Sequence, residues 1–158
     1  MSVSVRLASI DEAPLVRSIM RQAFAEYAGA LAVESGAHSE SLEDVVAAMR
    51  AGGAVLAFVG DEAIASARFK SIPDGLYVGR VAVLPGYRRR GVASAMMRFL
   101  EDVAAGLERA AIHIEVRDSL PANVGLYQSL GYQLVSIDPH PRGPDRVWAM
   151  RKPVVSDR

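Results

Sequence analysis

The chain has no cysteine, and that absence excludes disulfides, thiolate metal sites and a cysteine nucleophile. Histidine is scarce: His38, His113 and His140 are scattered, without ligand spacing, so no metal site is expected. Net charge is missing too. Eighteen basic residues balance eighteen acidic ones to +0, so no overall field draws the chain onto nucleic acid and none is expected as a partner. No apolar run approaches the ~20 residues of a membrane helix. The start, Met1-Ser-Val-Ser-Val5, lacks a basic residue ahead of a long apolar stretch, so no signal peptide is visible. A cytoplasmic chain without a membrane partner is expected. Both common nucleotide fingerprints are absent: no Gly-x-Gly-x-x-Gly, and no Lys-Ser/Thr following a glycine. No Ser-His-Asp arrangement at recognisable spacing is present either, so covalent catalysis has no evident nucleophile.

What is present is a core. Of 158 residues, 51% are hydrophobic and 23% charged, which suits one folded domain over 1–158 and not a disordered chain. Val3, Val5 and Leu7 alternate with polar residues as a first strand. Ser9, Asp11, Glu12 and Pro14 open a helix running to about Tyr27. Ser41 and Asp44 form a capping box for a second helix, Leu42 to Ala51, closed by Gly52-Gly53. Ala54–Val59, Glu62–Lys70 and Tyr77–Val83 read as strands joined by Gly60-Asp61 and Ile72-Pro-Asp-Gly75. A long helix from about Gly91 to Gly106, a strand Ala110–Val116 and a helix begun at Asp118-Ser119-Leu-Pro121, with Ser119 as its cap, follow. Strands Tyr132–Ile137 and Asp145–Lys152 flank a rigid loop from Asp138 to Pro144. The order is β-α-α-β-β-β-α-β-α-β-β, an α/β (α+β) chain with a mixed sheet and helices on both faces.

One stretch organises the rest: Val81-Ala-Val-Leu-Pro-Gly-Tyr-Arg-Arg-Arg-Gly-Val-Ala-Ser94. It is a strand, a basic turn and a helix start. The first turn of a helix presents unpaired N–H groups and the positive end of the dipole. Gly91 and Ala93 keep bulk away, so a phosphate can approach the backbone of Val92, Ala93 and Ser94. Arg88, Arg89 and Arg90 add charge, or form a solvated run.

Arg88-x-x-Gly91-x-Ala93 directly after Val81-Ala-Val-Leu-Pro85 resembles the pyrophosphate signature of the GNAT superfamily of acyl-CoA-dependent N-acetyltransferases. Leu126-Tyr127-Gln-Ser-Leu130-Gly131-Tyr132 is similar to its second motif, Leu-Tyr-x-x-Leu-Gly-Phe/Tyr; the same residues also suit a plain helix end. The resemblance covers nearly the whole chain. It implies a mixed, mostly antiparallel sheet of six to seven strands flanked by four helices, in a single N-acetyltransferase domain. It also implies acetyl-CoA as co-substrate, without a metal, and an acyltransferase that moves acetyl to a primary amine by direct attack in a ternary complex. The alternative is a non-catalytic acetyl-CoA sensor or partner-binding module on the same fold.

The resemblance assigns roles as well. Tyr127 becomes the general acid toward the departing thiolate. The backbone of Val81, Ala82 and Val83 holds the cofactor arm, with Val83 N–H on the thioester carbonyl. Arg88 to Ser94 bind the diphosphate. Glu115, in Ile112-His-Ile-Glu-Val-Arg117, matches the base of some ribosomal-protein alanine acetyltransferases, but is also the polar face of an alternating strand. Glu26, Glu34 and Asp61 are weaker alternatives, and so is a base acting through water. The family's Asn position is Leu120 here; Asn123, one helical turn before Tyr127, is kept as a further cofactor-binding candidate. Tyr77, Tyr87 and Trp148 read as packing, and His38 and His140 as loop residues. The acceptor is a small-molecule or peptide amine, and a homodimer stays open.

Overall fold

The computed structural model describes residues 1–25 and 36–155. Glu26 and Glu34 lie outside the described residues, as does the end of the expected first helix. Seven strands, β1 (Ser4–Leu7), β2 (Gly53–Val59), β3 (Glu62–Ile72), β4 (Gly75–Val83), β5 (Ala111–Arg117), β6 (Gln133–Pro139) and β7 (Arg146–Pro153), form one sheet in the order β1-β2-β3-β4-β5-β7-β6. Every neighbouring pair is antiparallel except β4 and β5, which run parallel. Among the described residues four α-helices flank it: α1 (Ala13–Phe24), α2 (Leu42–Ala51), α3 (Val92–Gly106) and α4 (Pro121–Ser129). The expected fold class and element order are thus the observed ones.

The apolar run of β2 has a physical reason. Successive side chains point to opposite faces, and both faces are covered. Ala54 and Leu56 are buried with Val16, Ile19 and Met20 of α1 and Val45 and Met49 of α2. Val55 and Ala57 are buried with Met96, Met97 and Leu100 of α3 on the other side. Local rules set the helix starts. A 3-10 turn, Ile10–Glu12, leads into α1 through a Ser9–Glu12 capping box, and Ser41 and Asp44 box the start of α2. No helix among the described residues is long and apolar enough to cross a membrane.

Several boundaries differ from expectation. β3 and β4 extend to Ile72 and back to Gly75, so only Pro73-Asp74 make the turn. β6 runs on to Pro139 because its pairing with β7 continues through Pro139 and Arg146, which shortens the predicted loop. Ser119 does not cap α4: Leu120 holds the cap position, and the Ser119 hydroxyl donates to Asp145 Oδ2 at 2.7 Å.

Two irregularities shape the centre of the sheet. Between Ser66–Ala82 and Arg68–Gly79 the β3–β4 register shifts, so Arg80 and Val81 together oppose Ala67. Arg80 takes up the bulge at φ 50. The parallel β4–β5 register joins Leu76 to Ile112 and Tyr77 to His113 and goes no further. Beyond Tyr77 the two strands part like a wedge.

Candidate functional site

The end of β4 has a spare backbone edge on the side facing away from β3. Leu84 N–H donates to Ile64 O at 2.9 Å, toward β3. Alternation along an antiparallel pair turns Ala82 the same way and Val83 the opposite way, away from β3. Beside that edge, between the end of β4 and α4, opens a cleft of about 580 Å³, a size that suits a cofactor arm. Its β4 wall is Val81, Ala82 and Val83, and its far wall carries Ala122, Asn123, Leu126 and Tyr127 of α4.

The basic turn and the start of α3 form one end. After Val83 the chain passes through a short 3-10 turn, Pro85–Tyr87, into α3. Arg89 and Gly91 both adopt left-handed backbone, φ 62 and 80. Gly91 caps α3, and no side chain satisfies the cap. The first backward bond of the helix is Ala95 N–H to Gly91 O at 3.0 Å. The amides of Val92, Ala93 and Ser94 precede it, and the helix offers them no acceptor. A Cβ built on Gly91 would meet nothing within 4 Å. All four residues line the cleft. Open space in front of unpaired amides at a positive helix end fits an anionic phosphate.

The three arginines separate. The guanidinium of Arg88 is turned inward: Nε donates to Val83 O at 3.1 Å and a terminal nitrogen to Ala23 O at 2.7 Å. Burial lowers its pKa from the ordinary value. These two bonds tie α1 to the end of β4, and Arg88 also lines the cleft. Arg89 is exposed and lines the cleft; Arg90 is exposed and is not among the lining residues. Tyr87, read as packing, also lines the cleft, and its hydroxyl donates to Glu62 Oε2 at 3.0 Å, which raises its pKa.

Tyr127 stands where two clefts meet. It lines the large one and a smaller one of about 170 Å³. Burial pushes its phenol up, so it keeps its proton through neutral and moderately alkaline pH. Its ring meets Tyr132 edge to face, centroids 5.7 Å apart, and its carbonyl accepts from Tyr132 N–H at 3.0 Å. Tyr132 in turn reaches Glu101 Oε2 at 3.5 Å, and Lys152 Nζ donates to Glu101 Oε1 at 3.1 Å. The Gly131 turn therefore seats Tyr127 on a polar brace running to α3 and β7.

Glu115 lies in the smaller cleft, on β5, and is exposed. Asn123 lines both clefts; Leu120, at the family's Asn position, lines only the smaller. Tyr77, a packing residue by its sequence pattern, donates its hydroxyl hydrogen to Glu115 Oε1 at 3.2 Å. Burial first and Glu115 second push the Tyr77 phenol up to about 12. Arg80 and Arg117 share this lining and were missed by sequence reasoning, as was Phe24, which joins both clefts. Arg80 Nε donates to Glu40 Oε1 at 2.9 Å, and Arg68 to Glu40 Oε2 at 2.9 Å, so Glu40 anchors the segment before α2 to the bulge. No local pattern advertises a pairing forty residues apart.

The other candidates lie elsewhere. Asp61 sits in the β2–β3 turn, outside both linings. His140 is in the β6–β7 connection, where Nδ1 accepts from Arg142 N–H at 3.0 Å. Trp148 donates its Nε1–H to Asp118 Oδ1 at 2.8 Å. No group of three or more His, Asp or Glu that could hold a metal occurs among the described residues.

The Acetyltransferase (GNAT) family model matches residues 16–132. The N-alpha-acetyltransferase RimI of Mycobacterium tuberculosis is 30% identical over 88 residues, 56% of this chain and 51% of that protein. The matched stretch thus spans about half the length of that curated relative. The fold superposes on the ribosomal-protein-S18-alanine N-acetyltransferase of Escherichia coli with a TM-score of 0.78, at 20% identity over 99% of this chain and 97% of the other. It superposes on the PaiA N-acetyltransferase of Thermoplasma acidophilum, solved in complex with coenzyme A, with a TM-score of 0.80, at 18% identity over 97% and 99%.

Proposed function

The chain belongs to the acetyltransferase (GNAT) family, and from that premise we propose that it moves acetyl from acetyl-CoA to a primary amine by direct attack in a ternary complex, as a single domain over 1–158. One observation carries the reading: the cleft between the end of β4 and α4 takes in the unpaired first-turn amides of α3, with Tyr127 on its wall and the smaller β4–β5 cleft adjoining it. When bound, acetyl-CoA supplies an acetyl group already activated as a thioester.

The chain's own groups supply the rest. The amides of Gly91, Val92, Ala93 and Ser94, with Arg89, hold the diphosphate at the positive end of α3. Val81 and Val83 offer strand-edge backbone to the amide-bearing arm, as an added strand would. Val83 N–H points away from β3, where it donates to the carbonyl oxygen as charge builds on it; one such donor is commonly worth ~2.7–4 kcal/mol. Tyr127, kept protonated by burial, donates a hydrogen bond to the sulfur as it gains charge. An attacking amine must first be neutral, yet an alkyl ammonium has a pKa near ~10.4 and an α-ammonium near ~8. Glu115, in the adjoining smaller cleft, takes that proton directly or through water. Asn123 stands between the two clefts and contacts the arm.

Arg88 has a different part here. It braces Val83 O and Ala23 O, fixing the β4 end against α1 while leaving phosphate to backbone amides. The small volume of the second cleft suits an amine carried on a narrow group, such as a chain terminus or a small molecule. The test is direct: follow released thiol with acetyl-CoA across small amines, amino acids and peptide N-termini. Acetyl-dependent thiol release with at least one amine class, with acetylated amine seen by mass, is the expected result. Tight acetyl-CoA binding with no release for any class would overturn it.

A further inference from the structure

We propose that Tyr77 is a positioning residue for Glu115, and that position 79 is glycine so that the Tyr77 ring can lie where it does. The proposal deepens the reading of Glu115 as the group that deprotonates the amine, and rests on it. Tyr77 is the last residue of β4 in register with β5, opposite His113. Glu115 is two residues further along β5, just past the point where the strands part. The Tyr77 hydroxyl closes that gap with its 3.2 Å bond to Oε1.

Gly79 is the second observation. A Cβ there would come within 3.0 Å of Tyr77 Cε1 and 3.4 Å of its hydroxyl. The ring is therefore laid against the bare backbone of residue 79. Gly79 is not among the residues at positive φ, so backbone conformation does not demand glycine there; the ring leaves a Cβ little room. Lys70, the register partner of Tyr77 on β3, places Nζ 5.5 Å from the ring centroid.

The chemistry follows from the donor's protonation. With its phenol pushed up to about 12, Tyr77 stays the donor through the working pH range. Its bond engages Oε1 and leaves Oε2 to accept from an incoming ammonium or water. An exposed glutamate without such a restraint samples several rotamers, and a misplacement of about 1 Å can cost ~10²-fold in rate.

Tyr77→Phe keeps the ring and removes only the hydroxyl. Its kcat should fall about tenfold or more while KM for acetyl-CoA changes by less than about twofold. In a Glu115→Gln background the same change should do nothing further, because the group it positions is gone. Gly79→Ala, which must displace the ring by a few tenths of an ångström, should lower kcat in the same direction and also be silent with Glu115→Gln. Two results would overturn the proposal and leave the base reading standing: wild-type kcat in both Tyr77→Phe and Gly79→Ala, or losses that multiply with Glu115→Gln. Wild-type turnover in Glu115→Gln would remove the base reading, and the proposal with it. Thermal melts with acetyl-CoA identify any variant that fails to fold.

Discussion

Leu84 donates its backbone N–H to Ile64 at 2.9 Å, and that bond decides which way Val83 faces. It makes Leu84 and Ala82 the ladder residues at the end of β4, and Val83 the residue whose amide is spare. Proline removes an amide and is tolerated where the ladder does not need it. Val83→Pro should therefore keep its melting temperature within about 5 °C of wild type and lose ~10²–10³-fold in kcat. Ala82→Pro should instead break the bond to β3 and unfold near room temperature. Melting curves and thiol release on the pair check both halves.

Tyr127→Phe preserves the edge contact to Tyr132 and the buried ring, and deletes the phenolic proton. Turnover should fall by ~10²–10⁴-fold while acetyl-CoA affinity stays within about twofold. Calorimetric binding beside steady-state kinetics separates the two. Because burial raises the phenol pKa, any fall of kcat/KM below about pH 10 should persist unchanged in the variant.

Gly91 and Gly60 both sit at left-handed φ, 80 and 58, with nothing within 4 Å of an added Cβ. A substitution at either meets similar backbone strain, on the order of 1 kcal/mol. Gly60 is in the distant β2–β3 turn, so Gly60→Ala should leave the acetyl-CoA thermal shift intact. Gly91→Glu should abolish the shift, since it fills the space before the α3 amides and sets a carboxylate against phosphate.

Arg6 grips Glu12 with two bonds of 2.7 Å, and these, with the Ser9 amide, hold the Glu12 carboxyl down to about 2. The folded pKa lies below the unfolded value of ~4.3. The stability it contributes is complete above that value and is lost as pH falls through about 2. Glu12→Gln should melt up to about 4 °C lower than wild type at pH 7 and converge with it near pH 2, the modest size reflecting a largely solvated pair. Paired melts at both pH values read this out.

The fold was legible where local chemistry decides it. Ser41 and Asp44 mark the start of α2, and alternation marks β1. The candidate cleft was legible in outline, since Val81 to Val83, Gly91 to Ser94, Asn123 and Tyr127 come together around one cavity. What stayed hidden depends on contacts remote in sequence. Three consecutive arginines look alike until Ala23 and Val83 offer carbonyls to Arg88 alone. Arg80 reads as an ordinary strand residue, but it occupies a bulge and pairs with Glu40. Tyr77 reads as packing because its partner, Glu115, is brought near by a parallel pairing of only two residues.

The central claim is that spare main-chain amides at the start of α3 hold the diphosphate. Backbone ¹⁵N–¹H spectra recorded while coenzyme A is titrated in test it most directly. The amides of Gly91, Val92, Ala93 and Ser94 should shift together and saturate with the binding isotherm. Saturable binding that leaves those four unmoved would contradict the account.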